Sequence, residues 1–159
     1  MKIIRAQTPT QIEEVRRLFR EYEDFLGVDL CFQGFEEELA GLPGKYAPPD
    51  GAILIATDGH EVAGCVALRK LEAKVCEMKR LFVRSQYKGQ GLGRILAERI
   101  IDEASQLGYS FMWLDTFARL KEAMRLYESL GFKRRKAYYQ NPLPGVVYLE
   151  LELNAPKNT

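Results

Sequence analysis

Histidine is almost missing: the 159 residues hold one, His60, beside three cysteines, Cys31, Cys65 and Cys76. Those cysteines show no CxxC spacing, and with one histidine they are too few and too scattered for a typical zinc site, so no metal is expected. Their odd number also argues against a disulfide framework and points to a reducing, cytoplasmic setting. His60 follows Asp58-Gly59 and reads as an exposed hairpin-turn residue rather than a catalytic base. Long apolar runs are missing too. None approaches the ~20 residues of a membrane-spanning helix. Met1-Lys2-Ile3-Ile4-Arg5 carries no signal-peptide apolar region, so no membrane association is expected. Charge of one sign is balanced away: 23 Lys+Arg face 22 Asp+Glu, a net charge of +1. That balance argues against a nucleic-acid-coating protein, though it leaves room for a local basic pocket.

What remains is ordinary globular material, 47% apolar and 28% charged, which excludes a disordered chain. The length suggests about one domain. We read residues 1–153 as that domain and 154–159 as a frayed C-terminal tail. Ile3-Ile4 opens a strand. Thr10 with Glu13 suggests a capping box before a helix whose apolar face runs from Ile12 to Leu26, ended by Gly27. A weaker helical stretch covers about Phe32 to Leu39 and dissolves into a Pro/Gly-rich loop. Strands are expected over Ala52–Thr57, Glu61–Leu71 and Val75–Val83, the first two joined by Asp58-Gly59. A helix from Leu92 stops at Gly108, a short strand covers Phe111–Leu114, and a helix containing Ala123, Leu126, Tyr127 and Leu130 closes at Gly131. Val146–Leu153 is the last strand. This order predicts an α+β fold, a mixed, mostly antiparallel central sheet with flanking helices.

The strand Val75–Val83 has a phase problem. Cys76 and Met78 put apolar residues at even positions, Leu81 and Val83 at odd ones. Side chains alternate with period two, so one register cannot bury both pairs on one face. Either a β-bulge near Lys79-Arg80 adds a residue, or the strand is buried on both faces. Next comes Lys88-Gly89-Gln90-Gly91-Leu92-Gly93-Arg94, leading into the long helix. Glycines at every second position let the backbone approach a ligand closely, and the unpaired amides of a helix start suit a phosphate. Lys88 and Arg94 would add charged contacts. The P-loop ending and the dinucleotide GxGxxG spacing are both absent.

The stretches Glu77–Val83, Lys88–Arg94 and Ala123–Phe132 together resemble the GNAT superfamily of acyl-CoA-dependent N-acetyltransferases. Lysine at position 88 stands where that family's signature has Arg or Gln, which keeps a charge and loses a planar fork. The resemblance implies acetyl-CoA as cosubstrate, held by Lys88, Gly89, Gln90, Gly91, Leu92, Gly93 and Arg94, with the backbone of Leu81, Phe82 and Val83 along the pantetheine arm. It implies that Tyr127 protonates the departing thiolate. Dimers are common in the family, so a homodimer is a further implication.

An amine must lose its proton before attack, and its pKa near 10 calls for a base. Glu77, in an apolar strand just before the proposed bulge, is the candidate, its pKa expected to rise through burial. Its alternative is a surface position on an edge strand, or an ion pair with Lys79 or Arg69. Cys76 reads as a buried, inert thiol. For the acceptor, a small amine or a protein amine, Tyr138, Tyr139 and Asn141 form a candidate polar wall, or else a proline-stiffened connection. Lys133-Arg134-Arg135-Lys136 reads as a solvated strand edge, the alternative being a patch that draws an acidic substrate. The expected activity is acetyl transfer by direct attack in a ternary complex. The alternative is a catalytically silent acyl-CoA-binding regulator or partner-binding domain.

Overall fold

The computed structural model describes residues 1–153; the tail at 154–159 lies outside them. In chain order the elements are β1 (Lys2–Arg5), α1 (Pro9–Leu26), α2 (Phe35–Ala40), β2 (Ala52–Thr57), β3 (Val62–Glu72), β4 (Val75–Val83), α3 (Leu92–Gln106), β5 (Phe111–Phe117), α4 (Lys121–Ser129), β6 (Lys133–Arg135) and β7 (Val146–Glu152). The seven strands form one sheet in the order β1-β2-β3-β4-β5-β7-β6. Every neighbouring pair is antiparallel except β4 and β5, which run parallel.

Helices cover both faces, which explains why the central strands read as nearly continuous apolar runs. Along β2, Leu54 faces one core with Leu96 and Ile100 of α3 and Met124 of α4. Its neighbours Ile53 and Ile55 face the other core, with Val15, Leu18 and Phe19 of α1 and Leu39 of α2. Leu18 and Phe19 are fully buried, worth about 1.5–3 kcal/mol each in apolar transfer.

Local chemistry corrects several boundaries. The cap of α1 is Thr8, not Thr10: Thr8 Oγ1 accepts from Gln11 N at 3.2 Å, and Gln11 Oε1 accepts from Thr8 N at 3.0 Å. Pro9 decides this, because its fixed φ and missing N–H suit the first helical position. The stretch expected to be helical from Phe32 breaks at Gly34, whose φ is +71°, into a short turn at Cys31–Gln33 and the six-residue α2. β5 runs on to Phe117, three residues past the expected end, because β7 pairs with it along its whole length. Lys133–Arg135 is an edge strand pairing with β7, with Lys133 and Arg134 exposed.

The phase problem in β4 resolves as a bulge. Cys65 pairs with Phe82 and Ala67 with Lys79, so Val66 of β3 faces two residues, Arg80 and Leu81. Arg80 takes the bulged position at φ +61°. One extra residue restores the alternation: Cys76, Met78, Leu81 and Val83 all join the α3 core, while Phe82 joins the α1 core. A left-handed conformation costs a non-glycine residue about 1–2 kcal/mol. Its buried guanidinium offsets that. Nε and Nη2 each donate to the Glu38 carboxylate at 3.0 Å, Nη2 also donates to Gln33 Oε1 at 3.0 Å, and the group sits 5.2 Å over the Phe35 ring.

Candidate active site

The site grows from the one parallel contact in the sheet. β4 and β5 pair only over Val75–Glu77 and Phe111–Trp113. Beyond those three residues the bulge turns β4 away, and the facing edges of the two strands part. Into the gap open two hollows that share the side chains of Tyr22, Leu81, Thr116 and Tyr127.

The larger hollow is a cleft of about 560 Å³. Leu81, Phe82 and Val83 of β4 form one wall. Of the glycine turn, Lys88, Gly89, Gly91, Leu92 and Gly93 line it; Gln90 and Arg94 do not, and Arg94 is instead bonded to the Ser129 hydroxyl. Gly89 and Gly91 have φ of +83° and +78°, and a methyl group on either would meet no protein atom within 4 Å. The strain-free φ is therefore what glycine supplies there. Among the described residues no side chain caps the start of α3, so its first amides stay available to a ligand. Lys88 Nζ rests 4.2 Å over the Phe25 ring. Two cations that sequence reasoning missed, Arg119 and Lys121, also line the cleft. They follow the true end of β5, which was set too early at Leu114. An apolar, glycine-floored cleft with three cations fits a long ligand bearing phosphates.

Tyr127 of α4 stands between the hollows. Its ring is buried against Phe132 at 5.6 Å, and its hydroxyl has no protein partner among the described residues. Burial pushes its pKa up, with smaller pushes from Tyr22 and Asp115, so the phenol stays protonated. Tyr22 is pushed up to about 12, mainly by burial.

The smaller hollow, a chamber of about 40 Å³, lies on the other side of Tyr127. Asp115 of β5 borders it, accepting from the Tyr139 hydroxyl and from Asn141 Nδ2 at 3.1 Å. Gln33 Nε2 reaches the Tyr139 hydroxyl at 3.3 Å. Sequence reasoning missed Asp115 because the strand was ended one residue before it. Lys79 also borders the chamber and links it to an outer hollow of about 490 Å³.

Of the expected acceptor wall, Tyr139 lines the outer hollow and Asn141 the chamber. Tyr138 borders neither. It packs between Trp113 at 5.0 Å and Tyr148 at 5.4 Å, and its hydroxyl donates to Glu77 Oε2 at 2.5 Å. Glu77, 1% exposed, borders neither hollow beside Tyr127; Arg69 Nε donates to its other oxygen at 2.7 Å, and Lys79 Nζ lies 4.0 Å away. The expected rise of its pKa is overturned. Burial does push it up, but the charges of Lys79 and Arg69 and the bonds from Tyr138 and Arg69 outweigh that and hold it below its ordinary value. The Lys79 ammonium is held below its ordinary value by burial, which the Glu77 charge only partly opposes.

The remaining reactive groups are quiet. Burial pushes the Cys65 and Cys76 thiols up to about 12, which fits inert core cysteines. His60 is exposed in its turn. Among the described residues no group of three or more His, Cys, Asp or Glu could hold a metal ion, and no helix is long and apolar enough to cross a membrane.

Comparison with known proteins gives the cleft its context. Residues 12–132 match the acetyltransferase (GNAT) family. An uncharacterized N-acetyltransferase of Schizosaccharomyces pombe is 44% identical over 156 residues, covering 97% of this chain and 96% of that protein. A GNAT-family acetyltransferase from Staphylococcus aureus shares the fold with a TM-score of 0.80 at 17% identity, covering 96% of this chain and 99% of its own. The Salmonella typhimurium protein YncA, solved with its cofactor acetyl-CoA, has a TM-score of 0.73 at 20% identity, covering 100% and 97%. Likeness by sequence and likeness by fold both extend over nearly the whole chain, and they agree with a glycine-floored cleft between two parted strands: this chain belongs to the acetyltransferase (GNAT) family and is an acyltransferase of the N-acetyltransferase type.

Proposed function

We propose that this enzyme moves an acetyl group from acetyl-CoA to a primary amine by direct attack in a ternary complex, and that residues 1–153 work as a single catalytic domain. One observation carries the reading: Tyr127 borders both the glycine-floored cleft and the polar chamber, as Tyr22 and Thr116 also do, so proton-donating hydroxyls stand between a cosubstrate side and an acceptor side.

Acetyl-CoA supplies the activated acetyl group. The amides of Gly89 and Gly91 and the uncapped start of α3 hold its pyrophosphate, with Lys88, Arg119 and Lys121 balancing phosphate charge. Leu81, Phe82 and Val83 offer backbone groups on the edge of β4 that β5 has left, suited to the amides of the pantetheine arm. In the transfer a C–N bond forms and the C–S bond breaks. The Tyr127 phenol gives its proton to the leaving sulfur. Asp115, beside the chamber, holds the amine and takes its proton directly or through water. Glu77 is ionised, but Arg69 and Tyr138 occupy both its oxygens; we assign it the task of fixing those two side chains rather than the role of base. The unpaired cysteines support a reducing, cytoplasmic setting.

Calorimetry with acetyl-CoA at low salt, followed by thiol release over a panel of amines, tests this. We expect binding and turnover. Binding without thiol release from any amine would favour a silent acyl-CoA-binding regulator, and no binding would overturn both.

A further inference from the structure

The three hollows adjoin one another in series. The cleft meets the chamber at Tyr127, and the chamber meets the outer hollow at Phe32, Gln33 and Lys79. Charge is ordered along this series. Next to Tyr127 comes the Asp115 carboxylate, whose partners, Tyr139 and Asn141, are both neutral. Farther out come two cations with unspent donors. The Lys79 side chain is 9% exposed, yet among the described residues its ammonium donates only to Gln33 Oε1, at 3.1 Å. Glu77, 4.0 Å from that ammonium, already serves Arg69 and Tyr138. Arg69 spends Nε on Glu77, and its two terminal nitrogens have no protein acceptor among the described residues.

Two buried or partly buried arginines, in and just after the neighbouring strand β4, differ. Arg80 is taken by Glu38 and Gln33, and Arg84 by Glu14 and Glu21. A buried ammonium whose one hydrogen bond goes to a neutral amide, with its nearest carboxylate 4.0 Å off and shared with Arg69, is under-satisfied and suited to a further anion. Of the acids lining the outer hollow, Glu38 is committed to Arg80 and Glu37 is exposed.

Resting on the acetyltransferase reading above, we infer that the acceptor is a small amine that also carries a carboxylate. Its amine enters the chamber beside Asp115 and Tyr127, and its carboxylate stays in the outer hollow against Lys79 and Arg69. The chamber, at about 40 Å³, admits little more than the amine and its carbon, while the outer hollow of about 490 Å³ holds the rest.

The test is thiol release by the full-length enzyme with acetyl-CoA, using amino acids of increasing amine-to-carboxylate spacing (α, β and γ), each against its own carboxamide. The carboxamide also lowers the pKa of the amine, so kcat/KM is counted per neutral amine throughout, and the pair then differs in the charge that Lys79 and Arg69 would meet. We expect kcat/KM for the best carboxylate to exceed that of its carboxamide by about tenfold or more, the weight of charge-assisted hydrogen bonds. Lys79→Met should bring that ratio toward one through KM, and Lys79→Arg should keep most of it. Equal kcat/KM within the pairs, or turnover of neutral amines alone, overturns the inference and leaves the acetyltransferase reading standing. A ratio unchanged in folded Lys79→Met also overturns it; if that variant fails to fold, the wild-type ratio decides. Acetyl-CoA binding with no thiol release from any amine overturns the acetyltransferase reading itself and this inference with it.

Discussion

Replacing Glu77 with glutamine separates two views of the buried acid. The carboxylate is 1% exposed and takes Arg69 Nε at 2.7 Å and the Tyr138 hydroxyl at 2.5 Å. Removing one partner of a buried pair costs about 3–5 kcal/mol. The Arg69 side chain is 24% exposed and can recover some hydration, so we expect the lower end, about 3 kcal/mol at pH 7. For a chain of this length that is about 6–12 °C in Tm. The pH dependence is the sharper part. In the folded protein Glu77 titrates below its ordinary 4.5. A lowered folded pKa contributes stability that is present above the unfolded value and is lost as pH falls through the folded value. Glutamine cannot titrate. The gap between wild type and Glu77→Gln should therefore stay constant from pH 7 down to about 5 and close only in stronger acid. Urea unfolding of both proteins across that range measures it. A gap that already narrows between pH 7 and pH 5 would mean a raised folded pKa, and a gap near zero at pH 7 would mean that the ion pair contributes nothing. Either result refutes the reasoning. The same electrostatics predicts that any acidic limb of the kcat/KM profile above pH 5 survives Glu77→Gln unchanged.

Tyr127→Phe should lower kcat by about 100-fold, at the low end for a lost general acid, with acetyl-CoA affinity and Tm nearly unchanged because the hydroxyl has no protein partner among the described residues. A kcat within threefold of wild type, by steady-state thiol release, would remove the proton-donor role (about 0.7 kcal/mol is too little for it). Gly91→Ala places a side chain at φ +78° with no clash, so it should destabilise by about 1 kcal/mol and weaken acetyl-CoA binding in calorimetry more than its stability loss explains. Arg80→Ala should cost about 3–5 kcal/mol in urea unfolding, since it leaves the Glu38 carboxylate unpaired and the bulge unsupported. A loss below about 1 kcal/mol would show that the bulge is held by the strand pairing alone.

The sequence disclosed most where one local rule acts by itself. Period-two alternation fails between Met78 and Leu81, and a bulge at Arg80 is what restores it. Glycines before an apolar helical stripe mark a helix start without a side-chain cap, and Gly91 occupies that position. Glu77 defeated this approach, because its pKa is a sum over groups from separate elements: burial raises it, but Arg69 from β3, Lys79 from its own strand and Tyr138 from beyond β6 lower it further. No window of sequence contains that sum. Asp115, Arg119 and Lys121 escaped for a related reason. A lone Phe-Met-Trp-Leu run gives no signal that the strand continues through Asp115-Thr116-Phe117; the pairing with Val146–Glu152, some thirty residues later, extends it. The parting of β4 from β5 is non-local in the same way. It needs a bulge in one strand and a full-length partner on the far side of the other, so that β5 stays with β7 while β4 turns off. The cleft is thus a product of strand pairing, whereas the chemistry along its floor is written in local stretches, and this is why the family could be read from residues 77–83, 88–94 and 123–132 while Asp115 on the acceptor side could not.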